Sequence, residues 1–192
     1  MVVSCDFTRM LPRIRAGRLG RELLVRAARI KGADELRAAD ATAGLGEDSF
    51  LLAAAGFSVT LIERDRTIAA LLRDGLARAR ELPELAEAAS RMELVEGDSI
   101  ALLPELAGSF DVVYLDPMFP AKKKDAAAKK KLQLIQMLER PCEDERALLD
   151  AALAARPRKV VVKRPLKGPY LADVQPARSL AGTTVRYDVI GS

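Results

Sequence analysis

"DATAGLGEDSFLLAAAGFSVTLIERD", Asp40 to Asp65, decides the architecture. A carboxylate and two glycines precede a helical pattern from about Glu47 to Ala55, and "FSVTLIE", Phe57 to Glu63, then reads as a strand. Glycine loop, helix and β-rich run in that order form a strand–helix–strand unit, whose two strands lie parallel. Gly44 and Gly46 let the backbone turn tightly and approach a ligand closely. Free amides at the start of the helix behind them suit a carboxylate or phosphate. The same glycines would serve a plain strand-to-helix turn.

On either side of this unit the alternation continues. A short strand near Leu36 to Ala41 precedes the glycine loop. A helix from about Thr67 to Arg80 follows, with Ile68, Leu72, Leu76 and Ala79 on its inner face. Pro83 interrupts, a helical piece covers Glu84 to Ala89, and "RMELVEGD" is a third strand. "FDVVYLDPMFP" supplies a fourth strand over Asp111 to Asp116, and "RKVVVKRP" a fifth. Helical pattern fills Ala126 to Glu139 and Glu143 to Ala155, split by Pro141. "SLAGTTVRYDVIGS" reads as a hairpin-type pair around Gly182. Ahead of all this, "MLPRIRAGRLGRELLVRAARIK" ends in an amphipathic helix with Leu19, Leu23, Ala27 and Ile30 on one face and Arg18, Arg21, Arg26 and Arg29 outside it. The expectation is a basic N-terminal segment and helix over 1–34 and one α/β domain over 35–192. That domain is a Rossmann-like, mostly parallel, doubly wound sheet with an antiparallel C-terminal edge. Ligands of such sheets bind beyond the carboxyl ends of the strands, near the topological switch point.

The composition excludes several chemistries. At 192 residues, 49% hydrophobic and 30% charged, the chain is an ordinary globular domain. It has no histidine, which removes the commonest general base and most transition-metal sites, so no metal is expected. It has no tryptophan, which leaves base stacking to Phe, Tyr or Arg. Cys5 and Cys142 are far apart and lack CxxC partners, arguing against a disulfide framework or a zinc site. No run approaches the roughly 20 apolar residues that span a bilayer, and "MVVSCDFTRM" lacks the pattern of a secretory signal. A reduced, cytoplasmic setting fits best.

Ser49 stands where the dinucleotide fingerprint needs its third glycine. Asp40, Glu47 and Asp48 around the loop suit a positively charged ligand better than a pyrophosphate. Glu63, closing the second strand, is placed to accept hydrogen bonds from ribose hydroxyls. Asp98 and Ser99, after the third strand, suit an adenine amino group. With Asp116 after the fourth, four successive strands end in carboxylates, which we read as an S-adenosylmethionine site.

The stretch Asp40–Asp65, "VVYLDPMFP", the lysine-rich "KKKDAAAKKKLQLIQ" and "VVVKRP" together resemble the bacterial 16S ribosomal RNA guanine-N2 methyltransferase family called RsmJ. The resemblance runs from about Asp6 to the C-terminus. It implies a class I S-adenosylmethionine-dependent methyltransferase fold, with cofactor contacts on Glu47, Asp48, Glu63, Arg64, Asp98, Ser99 and Asp116. The implied substrate is the exocyclic amine of one guanine in 16S rRNA, free or in the small ribosomal subunit. Members of the family usually carry several dozen residues before the point where this chain begins, and its glycine-richer segment before the first helix appears here as "RIRAGRLGRE". Both departures fall on the substrate-facing N-terminal region.

"LDPMFP" resembles the Asp/Asn-Pro-Pro-aromatic loop of enzymes that methylate exocyclic amines on nucleobases, with Met118 in place of the second proline. Asp116 and the carbonyl of Pro117 would accept the two amine N–H bonds and draw the nitrogen lone pair out of the ring plane. Phe119 is the platform for the base, since stacking is worth about 1–3 kcal/mol per base. Lys122, Lys123 and Lys124 stand seven residues before Lys129, Lys130 and Lys131. On a helix that spacing is about two turns, roughly 10.5 Å, making one basic face for phosphates. Lys163 and Arg164 are expected to extend it. Methylation of another nucleobase amine, in RNA or DNA, and a non-catalytic RNA-binding protein are the alternatives. An NAD-dependent oxidoreductase is disfavoured by the missing third glycine and the Asp-Pro-aromatic loop.

Overall fold

The computed structural model describes residues 4–117 and 144–191. Five parallel strands, β1 (Arg37–Asp40), β2 (Ser58–Glu63), β3 (Met92–Glu96), β4 (Val112–Leu115) and β5 (Lys159–Pro165), join an antiparallel pair, β6 (Arg178–Ala181) and β7 (Val185–Ile190). Their order is β3-β2-β1-β4-β5-β7-β6, with β7 inserted between β5 and β6. The strand order reverses between β1 and β4, whose register pairs Asp40 with Tyr114. This is the switch point at which such sheets hold ligands.

Alternation along the strands sorts the apolar residues into two cores. Ala38, Leu61, Val112, Tyr114 and Val161 face one core, with helices α2 (Leu23–Ala28), α3 (Glu47–Ala54), α4 (Arg66–Glu81) and α5 (Pro83–Ser90). Ala39, Ile62, Val113, Leu115, Val160 and Val162 face the other, with α6 (Ser99–Glu105) and α7 (Glu145–Ala154). Both faces of the parallel strands are therefore covered, which is why they read as continuous apolar runs rather than alternating ones. The inner face expected for α4 is the buried one: Ile68, Leu72, Leu76 and Ala79. The Asp65 side chain caps that helix, accepting from the backbone N–H of Thr67 and Ile68.

The N-terminal region departs from the sequence expectation. In place of the amphipathic helix expected to carry Leu19 to Ile30, the chain forms a 3₁₀ turn at Leu19–Arg21 and the short α2, preceded by a single turn, α1 (Leu11–Ile14). Arg15 and Glu22 take extended ψ values of 147° and 124° that break the helical run. The buried residues are Leu24, Val25, Ala27 and Ala28, while Leu19, Leu23 and Ile30 are only partly covered. Phe7 stacks on Phe50 of α3 at 4.7 Å between centroids, so this region shares a core with the sheet. Lys159 of β5 reaches under α2, donating to the carbonyls of Ala27 at 3.3 Å and Arg29 at 2.8 Å. A cation at a helix C-terminus is favourably placed there. The helix expected over Ala126–Glu139, and Glu143 at the start of the next, lie outside the described residues. No helix among the described residues is long and apolar enough to cross a membrane.

Candidate active site

The loops after β1 and β4 are laced together at the switch point. The N–H of Ala41 donates to the carbonyl of Tyr114 at 3.0 Å, and the N–H of Asp116 to Thr42 Oγ1 at 2.7 Å. Asp40 lies beneath, 1% exposed, with Oδ1 accepting from the Thr42 N–H at 3.0 Å and Oδ2 from Ser49 Oγ at 2.5 Å. Burial pushes its carboxyl up to about 7, against the pull of the Ser49 and Thr42 donors. Both oxygens are engaged inside the fold, so Asp40, expected among the cofactor residues, also shapes the loop from below. Gly46, expected beside it, packs against the core. A Cβ there would stand 2.8 Å from Leu72 Cδ1 and 3.2 Å from Leu61 Cδ2, so its φ of +74° and the core demand glycine. Gly44, at φ +53°, donates its N–H to Glu63 Oε2 at 2.9 Å.

Glu63 bridges two loops, since Oε1 also accepts from the Asp65 N–H at 2.8 Å. Burial raises its carboxyl, and the backbone donors of Asp65 and Gly44 partly offset that rise. A carboxylate has about four acceptor positions, so each oxygen keeps a further one. Asp98, exposed, caps α6 through a 2.9 Å bond from the Ile100 N–H. Ser99 is buried beside it, and Glu47 and Arg64 are exposed on the same rim.

The fourth and fifth strands contribute differently. Lys163 Nζ lies 2.6 Å from Asp48 Oδ2 and 2.9 Å from Asp116 Oδ2. The Tyr114 hydroxyl donates to the same Asp48 oxygen at 2.6 Å. Burial alone would raise Asp48, but Lys163 and the tyrosine hold it below the usual carboxylate range. Asp116 stays above that range because burial and the neighbouring Asp48 outweigh the lysine. Burial would lower Lys163, yet the two carboxylates hold it well above its ordinary value, so it is a fixed cation. Tyr187 of β7 faces the cluster, its hydroxyl raised by burial and by Asp48. Neither Tyr114 nor the role of Lys163 was found by sequence reasoning. The one signal was a hydroxyl-bearing residue inside the apolar "VVYL".

Lys163 and Arg164 were expected on an RNA-facing patch, and the sheet separates them instead. Successive residues of β5 point to opposite faces. Lys163 turns into the site, and Arg164 into the second core, 1% exposed. There its guanidinium pairs with Glu145 at 2.9 Å and donates to the carbonyl of Pro169 at 3.0 Å. A buried, paired guanidinium is not available to a phosphate. Phe119, Lys122, Lys123, Lys124, Lys129, Lys130 and Lys131 lie outside the described residues. Pro117 is buried directly after Asp116.

The donor set fits a cation with a polar nucleoside end: carboxylates at the ends of β1 to β4, with Lys163 the one lysine brought against them among the described residues. Among those residues, no group of three or more His, Cys, Asp or Glu could hold a metal ion. A family model described as "Putative SAM-dependent methyltransferase" matches residues 1–191. The chain belongs to that family. It is 46% identical over 169 residues to the ribosomal RNA small subunit methyltransferase J of Pseudomonas paraeruginosa, a match covering 88% of this chain and 65% of that protein. With the same-named protein of Pseudoalteromonas atlantica it shares 46% identity over 175 residues, 88% of this chain and 68% of that one. The chain thus spans about two thirds of the length of these relatives. The crystal structure of a SAM-dependent methyltransferase from Neisseria gonorrhoeae superposes with a TM-score of 0.78 at 36% identity, covering 98% of this chain and 74% of that chain. An rRNA methyltransferase from Streptomyces viridochromogenes, at 21% identity and a TM-score of 0.59, shares the fold.

Proposed function

We propose that this protein methylates the exocyclic N2 amine of a guanine in 16S ribosomal RNA, using S-adenosylmethionine. The observation that carries the proposal is the carboxylate of Asp116, held by Lys163 at the switch point, in a chain 46% identical to ribosomal RNA small subunit methyltransferase J. S-adenosylmethionine supplies a methyl group on a sulfonium, a strong electrophile that leaves as a neutral thioether. Glu63 would bind the ribose, Asp98 and Ser99 the adenine amine, and the acidic first turn of α3 (Glu47 and Asp48) the cationic end, with Arg64 alongside.

The remaining work falls to the chain's own residues. The amine of guanine is a poor nucleophile because its lone pair is delocalised into the ring. Asp116 and the Pro117 carbonyl would accept its two N–H bonds and turn that lone pair outward, a gain of orientation. As positive charge develops on nitrogen the fixed carboxylate stabilises it. The proton that the new secondary amine sheds passes to Asp116 and on to water. Phe119 would stack the base, and Lys122, Lys123, Lys124, Lys129, Lys130 and Lys131 would neutralise phosphates without reading sequence. The small ribosomal subunit or its RNA is then the partner, and a cytoplasmic setting accompanies it.

The test incubates the protein with labelled S-adenosylmethionine and small subunits lacking the modification, then maps the labelled nucleotide. Label on the N2 of one 16S guanine is the expected result. Label on another amine would move the substrate. In thermal unfolding, S-adenosylmethionine at 100 times its Kd should add about 2.7 kcal/mol. Stabilisation by NAD in its place would overturn the cofactor.

A further inference from the structure

We infer that Lys163 is a positioning residue, which orients Asp116 and keeps it anionic so that its other oxygen meets the amine. The inference rests on the methyl-transfer function proposed above. Its basis is the geometry of one ammonium between two carboxylates from distant parts of the chain. Asp48 stands in the first turn of α3, behind the glycine loop, and Asp116 just beyond β4. Both present Oδ2 to the same Nζ, at 2.6 and 2.9 Å. With Oδ2 of Asp116 tied down, Oδ1 accepts no hydrogen bond among the described residues, while the backbone N–H of Asp116 is pinned to Thr42. The carboxylate plane is thereby fixed, and one oxygen is left for a substrate N–H.

Without the ammonium, two partly buried carboxylates would face each other with nothing between them. One would take up a proton or turn away. A protonated Asp116 offers a donor where the amine needs an acceptor, so the neutral acid stalls the reaction. The groups around the pair cannot replace the lysine. Asp48 on α3, Asp40 on β1 and the Tyr114 and Tyr187 hydroxyls all oppose charge on Asp116 or carry none. Arg13 of α1 is bound bidentately by Glu22, at 3.0 and 2.8 Å. Arg164 attracts Asp116 but lies on the opposite face of the sheet, paired with Glu145. Lys163 itself is held protonated by its partners and so is excluded as the base that receives the amine proton.

Two readouts test this, one independent of turnover. In the cofactor-free protein, the carboxyl carbon of Asp116, assigned with the help of Asp116→Asn, is titrated by NMR in wild type, Lys163→Met and Lys163→Arg. In Lys163→Met the midpoint should rise by about 1–3 pH units, the usual effect of one close opposite charge. In Lys163→Arg it should return toward wild type. The acidic limb of kcat on small subunits should move by the same amount, so that the loss is largest at low pH and recovers as pH rises. If Lys163→Met does not fold, Lys163→Gln, a neutral donor, carries the same comparison. An unmoved Asp116 midpoint, or an equal loss of kcat at every pH, overturns the inference. Wild-type protein that fails to methylate small subunits while its Asp116 titrates as described would instead overturn the proposed function alone.

Discussion

The two halves of the rim hold their carboxylates in different ways. Beyond β2 and β3, Glu63 and Asp98 are served by backbone N–H groups close by in the chain: Asp65 and Ile100 lie two residues on, Gly44 nineteen back. At the switch point, Asp48 and Asp116 share one side chain, Lys163, 115 and 47 residues away, and Asp48 also takes the Tyr114 hydroxyl, 66 residues away. Amide donors come with the turn and cannot be lost without refolding it. An ammonium can be deleted by a single substitution. The first half is thus a property of the loops, and the second a property of the completed sheet.

Substitutions can break this contrast, starting with the largest effect. Asp116→Ala should cut kcat by about 10²–10³-fold, the scale of losing one preorganised group at a developing charge, while cofactor affinity by calorimetry changes little. Unchanged turnover would remove Asp116 from the chemistry. Asp48→Asn should lower stability by about 1–3 kcal/mol in urea unfolding, since a partly buried ion pair and the Tyr114 bond are both weakened. The acid sensitivity of the fold should change with it. A carboxyl depressed in the folded state contributes stability above its unfolded pKa, near 3.9, and loses it as pH falls through the folded value. The variant should therefore lose less stability on acidification than wild type. Glu63→Gln places an amide NH₂ against one of two backbone N–H groups, and cofactor binding should weaken about 10-fold, or roughly 1.4 kcal/mol. An equal loss of kcat with unchanged affinity would shift Glu63 to the other half of the rim.

The buried carboxyl beneath the rim sharpens the comparison from below. Asp40, pushed up to about 7 by burial, binds a proton in the folded state that the unfolded chain releases near pH 4. The folded state binds more protons between those values, so stability falls as pH rises from about 4 to 7 and is level beyond. Asp40→Asn keeps an acceptor for Thr42 and a donor for Ser49, and should flatten that slope in denaturation series at fixed temperature. A slope that persists would assign it to another group.

These contrasts explain how far the sequence was legible. Strand ends, the glycine loop and α4 follow from local pattern, and the carboxylates of both halves were named from their places at strand ends and at the start of α3, whereas the distant partner Lys163 was not. The alternating "VVVKRP" was read for charge and not for face, so Lys163 and Arg164 were assigned together to one patch although they point to opposite faces of the sheet. Parity along β5 separates them, but which face meets Asp48 depends on pairing with β4 and β7, and sequence alone does not contain that. The helix expected over Leu19 to Ile30 was misread because Leu19, Leu23 and Ile30 keep a helical spacing although the backbone at Glu22 and Arg29 does not.

The ammonium of Lys159 under α2 has a consequence for synthesis. Lys159 follows Ala27 by 132 residues. At about 5–20 residues per second, a growing polypeptide waits roughly 7–26 s before the group that holds the end of α2 has been made. Until then Leu24 and Val25 lack the strands they pack on, a sticky patch on a nascent chain. Chaperones that shelter such patches during translation should find their target at residues 23–28 and release it only once β5 and β7 have left the tunnel.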